Sequence, residues 1–379
     1  MLLGWFKKIL ISTVVGRYLD AAIRVLIGWG DLLVVAVVPR VSFDKDSYLV
    51  FALLDGIGDN VYVLSLARDF YLAGYKNISF IVDRRQADLV KKIEGFEADI
   101  VYFDKQTLKS GSSCFSRHGY RVAVRTNPSL EHTLAFRING VWKDVGFIGS
   151  YKWFSTGGSV KKIKLELFDP RPIATRYNCF RKSYGLQISK APLFTTTPRE
   201  SSREFSPKLI LALDKSTLWD MPSTIDEGNL VEELVTLTRP SNWSIHIVGE
   251  RKTYPVNLQD GVNDLRGETS LEDLIDLVSS ADLVVSTDNG VMHISAMQNR
   301  DVAAIFTFTS PIHFSPPRDH VSVFKRSVAC APCTIQKLEP VNNYVPLCSY
   351  NHRCRISDFE DLFLFLRQKI DEKNKLFKV

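Results

Sequence analysis

From Tyr48 onward the chain alternates between short apolar runs and stretches whose apolar residues recur with a helical period. Tyr48–Leu54, Ile78–Val82, Ile100–Phe103 and Tyr120–Val124 read as buried strands, with helices over Asn60–Leu72 and Arg85–Ile93 between the early ones. Strand, helix, strand in this order predicts right-handed crossovers and a parallel sheet. The stretch Gln187–Lys208, with three prolines, many hydroxyl residues and mixed charge, reads as an interdomain linker, drawn at 191–207. After it the alternation restarts. Strands are expected over Leu209–Leu213, Ser244–Val248, Leu283–Ser286 and Val302–Phe308, and helices over Asn229–Leu237, Leu271–Ser279 and Val291–Met297. Two α/β domains of this kind leave a cleft where the carboxyl ends of their strands face each other. A last helix, about Asp358–Lys373, is expected to cross back and brace the first domain.

Residues 1–44 stand apart as an amphipathic helical extension. Arg17, Asp20, Arg24 and Asp31 fall three, four and seven apart, which on a helix makes one polar stripe beside a wide apolar face that includes Leu19, Ile23, Leu26 and Leu33. Two readings stand. One is a helix lying in a membrane leaflet, with Trp5, Phe6, Lys7 and Lys8 at headgroup level. The other is a helix packed on the body of the protein or on a partner subunit. The same charges interrupt every apolar run before one is long enough for a spanning helix or a clean export sequence.

Composition narrows the function classes. At 379 residues the chain is long enough for two domains with cores of their own. With 45% hydrophobic and 24% charged residues it groups with globular proteins, not disordered or membrane-spanning ones. The formal charge of +6 suits an anionic substrate or an anionic membrane surface. No block of like charges points to nucleic acid. Six cysteines in a chain of this length do not make a disulfide scaffold. Without export the compartment is reducing, which favours thiols as ligands.

Candidate chemistry sits in two loops. The first strand runs into Asp55-Gly56-Ile57-Gly58-Asp59-Asn60, a Gly-x-Gly turn that lets backbone approach a ligand and aims the amides of the next helix into the cleft. It is not the dinucleotide fingerprint, because Val61 stands where a third glycine is required. The bland alternative is that Asp59 caps the helix. In the second domain, the strand ending at Ser286 leads into Thr287-Asp288-Asn289-Gly290-Val291-Met292-His293. The amides at that helix head make a phosphate site, Asp288 orients the loop or caps the helix, and His293 lies one turn in. Taken alone, His293 reads as a satisfied, partly buried histidine.

Four cysteines, Cys330, Cys333, Cys348 and Cys354, have the composition of a four-thiolate metal knuckle, with His352 as an alternative ligand. Such a site, zinc or iron, would be structural, since four protein ligands leave no open position for chemistry. The alternative is a set of buried, reduced thiols.

Three segments together resemble glycosyltransferase family 9, the ADP-heptose:lipopolysaccharide heptosyltransferases: "LLDGIGDNVYVLSLARDF", "ADLVVSTDNGVMHISAM" and "CAPC…CSYNHRCRIS". They fall in the family's order, between about Tyr48 and Leu364. The resemblance implies a GT-B architecture of two Rossmann-like domains facing a cleft: an acceptor-side domain over 45–190, a nucleotide-sugar-binding domain over 208–357 with a Cys-rich loop, and a helix over 358–379. It implies inverting transfer of a heptose from ADP-heptose to an inner-core sugar, with Asp59 as general base and no catalytic metal. Gly56, Gly58, Asn60, Asp288, Asn289, Gly290 and His293 would line the substrates.

The chain also departs from the family pattern. In "LALDKSTLWDMP", Thr217 stands where a diphosphate-binding lysine is expected, and Lys215 lies two residues earlier. Glu250, after a strand and a glycine, is placed to accept ribose hydroxyls. Leu54-Asp55 replaces the family's arginine before the first glycine turn. The partners expected are an ADP-heptose donor, an anionic glycolipid acceptor, the cytoplasmic face of the inner membrane, and a second copy of the chain as homo-oligomer. Three other functions remain open: a heptosyltransferase acting on an autotransporter adhesin, which in relatives carries iron, a non-catalytic scaffold of the same fold, and an epimerase using another sugar nucleotide.

Overall fold

The computed structural model describes residues 44–103, 121–126, 132, 135–136, 139–141, 143–148, 161–164, 173–195, 206–213, 227–250, 261–307, 309–325 and 360–377. Strand β1 (Tyr48–Leu53) leads into α1 (Ile57–Leu72), β2 (Ile78–Val82), a 3-10 turn at Arg84–Gln86, α2 (Ala87–Lys91) and β3 (Asp99–Tyr102). Then come β4 (Arg121–Arg125), β5 (Lys143–Ile148), β6 (Lys161–Lys164) and α3 (Ile173–Tyr184). The second half runs β7 (Lys208–Ala212), α4 (Glu227–Thr238), β8 (Ser244–Ile247), β9 (Val262–Asp264), α5 (Leu271–Ser279) and β10 (Leu283–Thr287). It continues with α6 (Gly290–Met297), β11 (Val302–Phe306), α7 (Pro311–Phe314), β12 (Val321–Lys325) and α8 (Glu360–Phe377).

The two halves repeat one topology. Among the described residues the first sheet has the order β3-β2-β1-β4-β5-β6 and the second β12-β11-β10-β7-β8-β9. Every strand pairing in them is parallel. In each sheet the first strand of the half (β1 or β7) lies beside its fourth (β4 or β10). Connections leave in opposite directions there, and a crevice opens at the strands' carboxyl ends. The central strands are apolar on both faces because helices cover both sides, so they read as unbroken runs such as Leu49–Leu53 and Val302–Phe306.

Helix α1 belongs to both halves. Every residue from Asn60 to Phe70 is buried, the polar Asn60, Ser65, Arg68 and Asp69 included. One core cluster runs from Leu49, Phe51 and Phe80, through Leu66 and Phe70 of α1 and Met292 and Ile294 of α6, to Ile210, Val284 and Phe306. Polar groups pin α1 in this setting. Asp69 accepts from Arg181 Nε of α3 at 2.6 Å and from the Ser189 amide at 3.0 Å. Arg181 also donates to Ser65 Oγ at 3.0 Å. Removing one partner of such a buried pair costs about 3–5 kcal/mol.

Two expectations are revised. The start of the expected linker is part of the interior: Leu193 and Phe194 are buried, and Phe194 bridges to Ile93. The Leu193 amide donates to the Met297 carbonyl at 3.0 Å and the Phe194 amide to Gln298 Oε1 at 2.9 Å. Arg68 of α1 donates to the carbonyls of Ala191 and Pro192. Among the described residues the last helix packs on the second domain, not on the first. Leu362, Phe363, Leu366 and Ile370 form a stripe of α8 that packs with Leu209, Leu211 and Ile245 on the outer side of the second sheet. Trp243 Nε1 donates to Asn374 there at 3.0 Å. Residues 1–43 lie outside the described residues, and among those described no helix is long and apolar enough to cross a membrane.

Candidate active site at the two glycine loops

The first loop follows β1. Helix α1 starts at Ile57, with Gly56 as its N-cap in an extended conformation and no side chain capping it. Asp59 is therefore the third residue of the helix and not its cap. Its carboxylate sits in the first turn, where the helix dipole favours negative charge. The loop is held from behind. The Asp55 carbonyl accepts from Asn60 Nδ2 at 3.0 Å and from Gln86 Nε2 at 2.8 Å, and Asn60 also bonds the Gln86 side chain. The Asp55 carboxylate lies 3.1 Å from Nε2 of the buried His132.

Asn60 is among the residues expected to line the substrates. It is fully buried, and its amide donates to the Gly56 carbonyl at 3.0 Å. Its part is to hold the loop.

The second loop follows β10 at the switch point. Asn289 is the N-cap of α6, its Oδ1 accepting from the amides of Val291 at 2.9 Å and Met292 at 3.4 Å. Its Nδ2 donates to the Ala212 carbonyl at the end of β7 at 2.9 Å and to Thr287 Oγ1 at 3.1 Å. One side chain thus ties the loop to both central strands. The amides of Val291 and Met292 are already engaged by this cap, so Asn289 shapes the cradle and fills part of it.

The loops meet through their glycines. A methyl carbon on Gly58 would lie 2.4 Å from His293 Cδ2, and one on Gly290 would lie 2.8 Å from Ile57 Cβ. Both distances are below any contact a real side chain makes. These glycines let the head of α1 and the head of α6 touch, a role that close approach to a ligand does not explain. Gly56 has nothing within 4 Å of such a carbon and is exposed.

His293, which taken alone reads as a satisfied, partly buried histidine, is buried with its Nε2 3.7 Å from Asp288 Oδ1. Its Nδ1 has no hydrogen-bond partner among the described residues. Its ring stands edge-on to Tyr62 of α1 at 5.5 Å, and Tyr62 stacks on Tyr177 of α3 at 5.5 Å. Tyr177 in turn donates to the Asp59 carbonyl at 3.4 Å. Neither tyrosine stood out in the sequence, because an aromatic residue at helical spacing reads as core.

Glu250 is exposed beyond β8. Across the cleft, Arg85 is held by Asp83 through bonds of 3.1 and 2.7 Å. Asp83 raises the guanidinium's proton affinity, with a smaller push from Glu250. Lys215 and Thr217, and the cysteines Cys330, Cys333, Cys348 and Cys354 with His352, lie outside the described residues. Among those described, no group of three or more His, Cys, Asp or Glu side chains could hold a metal ion.

Residues 246–344 match glycosyltransferase family 9 (heptosyltransferase). That segment begins in β8 and takes in Glu250, the whole second loop, and Cys330 and Cys333. Lipooligosaccharide heptosyltransferase 2 of Haemophilus influenzae is 35% identical over 80 residues, which is 21% of this chain and 23% of that protein. The match thus spans less than a quarter of the relative's own length. A glycosyl transferase family 9 structure from Veillonella parvula superposes with a TM-score of 0.63 at 12% identity, over 87% of this chain and 99% of that one. The Escherichia coli ADP-heptose LPS heptosyltransferase II gives 0.57 at 16%, over 78% of this chain and 98% of that one. At these identities the likeness is one of fold, the GT-B arrangement of two parallel-sheet domains. The chain thus shares the GT-B fold of these proteins, and its segment 246–344, which carries the loop that meets α1, is similar to glycosyltransferase family 9.

Proposed function

We propose that the protein is an inverting heptosyltransferase that moves a heptose from ADP-heptose to the inner-core sugar of a lipopolysaccharide acceptor. One observation carries this reading: Asp59 at the head of α1 and the Asp288–His293 loop at the head of α6 flank a single seam, with Gly58 packed on His293. In this reading the acceptor hydroxyl attacks the anomeric carbon as its proton passes to the Asp59 carboxylate. The bond from that carbon to the diphosphate breaks, with inversion. The loop at Gly290 and His293 would hold the diphosphate, helped by the amino-terminal dipole of α6. Glu250 would accept the ribose hydroxyls, with Lys215 or Thr217 beside the phosphates. Similarity to proteins named for ADP-heptose and lipopolysaccharide supports this choice of donor and acceptor.

Calorimetric titration with ADP, UDP and GDP tests the donor half. Binding selective for ADP and weakened by His293→Ala is expected, and a preference for UDP or GDP would overturn the choice of sugar nucleotide. Asp59→Asn tests the chemistry. Turnover should fall by a factor of about 100 or more with donor binding kept, and unchanged turnover would remove Asp59 from the mechanism.

Two side readings travel with this one. The spacing of Cys330, Cys333, Cys348 and Cys354 supports a structural zinc or iron site, which metal analysis showing less than stoichiometric metal would sink. The amphipathic stretch 1–44 supports placement on the cytoplasmic face of the inner membrane. Co-sedimentation with anionic vesicles that survives deletion of residues 1–43 would remove that role from it.

A further inference from the structure

We infer that Tyr62 is a positioning residue for the transfer reaction, its hydroxyl donating a hydrogen bond to the Asp59 carboxylate once substrates are bound. The inference rests on Asp59 being the base. Tyr62 follows Asp59 by three residues on α1, and residues three apart on a helix share a face. The phenol ring is clamped between Tyr177, stacked at 5.5 Å, and His293, edge-on at 5.5 Å. Only 1% of the residue is exposed. Despite that burial, the hydroxyl has no hydrogen-bond partner among the described residues.

An unsatisfied buried hydroxyl is unfavourable, and a phenylalanine would fill the same space without it. A partner supplied in the substrate-bound state would satisfy it. Among the described residues, the following charged or titratable groups face the phenol. Asp59 lies on its own helix, Asp288 and His293 at the head of α6, Arg181 and Tyr177 on α3, and Arg318 ahead of β12. Burial first, then Asp59 and Asp288, push the phenol's pKa far up, against the weaker opposing pull of Arg318 and Arg181. Tyr62 therefore stays protonated throughout the working range. It is a donor beside two carboxylates, which when ionised can only accept.

Catalytic hydrogen bonds that are absent or long in a free enzyme commonly close in the loaded one. A donor bonded to the ionised Asp59 would fix the carboxylate's orientation. It would also favour its charged form, and so lower its pKa.

The test compares wild type, Tyr62→Phe and Asp59→Asn in the full chain, reading kcat, donor KM, the pH–rate profile and the melting temperature. For Tyr62→Phe, kcat is expected to fall by a factor of about 10 with donor KM little changed. The acid limb of the profile should move to higher pH, and the melting temperature should hold or rise, since an unsatisfied hydroxyl has been removed. Wild-type kcat and an unmoved acid limb, with Asp59→Asn inactive, would overturn the inference alone. So would a lowered melting temperature with an unmoved limb, which is the mark of a merely structural hydroxyl. Full activity in Asp59→Asn would overturn the underlying reading, and this inference with it. If Tyr62→Phe does not fold, fluorotyrosine at position 62 keeps the ring and strengthens the donor. The acid limb should then move to lower pH, and an unmoved limb would sink the idea.

Discussion

Gly58 rests against the imidazole of His293 so closely that an added methyl carbon would lie 2.4 Å from Cδ2 and 3.0 Å from Nε2. A glycine after a strand and before a helix invites a phosphate-loop explanation. Here the missing side chain instead makes room for a residue from the other domain.

Gly58→Ala should therefore act through His293. The ring must swing, carrying Nε2 away from its place 3.7 Å from Asp288. Overpacking of this kind costs about 1–3 kcal/mol, which would lower the melting temperature and weaken nucleotide binding. Gly56→Ala is the control, since nothing lies within 4 Å and the backbone φ of −63° suits any residue. Equal melting temperatures for the two variants would refute the packing account.

The contact of Gly290 with Ile57 makes a double-variant test. Gly290→Ala alone pushes its methyl into Ile57 Cβ and Cγ2, at 2.8 and 2.9 Å. Combined with Ile57→Ala, the Cγ2 conflict disappears and only Cβ must give. The stability loss of the pair should be smaller than the sum of the single losses, a coupling of about 0.5 kcal/mol or more for residues in contact. Additive losses would show that the two helix heads are not pressed together.

Asn289 separates two duties on one side chain. Asn289→Ala loses the cap of α6, worth about 0.5–2 kcal/mol, and the tie to the Ala212 carbonyl. Asn289→Asp keeps the acceptor for Val291 and Met292 and loses the donors to the Ala212 carbonyl and Thr287 Oγ1. The aspartate should recover more than half of the melting temperature that alanine loses. No recovery would mean that the tie between β10 and β7, and not the cap, holds the loop.

His246 on β8 predicts an acid sensitivity. Its Nε2 lies 3.1 Å from Ser244 Oγ, and burial, then Lys208, hold its pKa below the ordinary imidazole range. The unfolded chain takes up this proton before the folded one does. The stability linked to His246 is therefore complete above pH about 6.5 and is lost as pH falls through the folded value. In His246→Gln the melting temperature should decline less steeply below that pH than in wild type. The same slope in both would exclude this residue.

The parts of the fold readable from sequence are those buried on both sides. β1, β2, β10 and β11 lie within a residue or two of their apolar runs. Helix α5 was read at its true bounds, Leu271–Ser279, where Ser270 and Asp273 form a capping box. The strands that escaped notice include the sheet edges β6, β9 and β12. Lys161-Lys162-Ile163-Lys164 has the charged look of an edge strand, and such strands carry little apolar signal. Helix α3 was missed because its hold on α1 is partly polar, through Arg181 and Asp69. The two site loops were legible from their turn residues and flanking periods. What fills the space beside Gly58 and Gly290 was not, because the neighbours come from the other end of the chain. Tyr62 was legible only as core for the same reason.

The shared helix pair also bears on how proteins of this fold could be recombined. A chimera that exchanged the second domain for a relative's would set a foreign helix against Gly58 and Tyr62, and a foreign carbonyl against Leu193. The exchangeable unit is thus larger than a domain: it is the second sheet together with the faces of α1 and residues 191–195 that seat it.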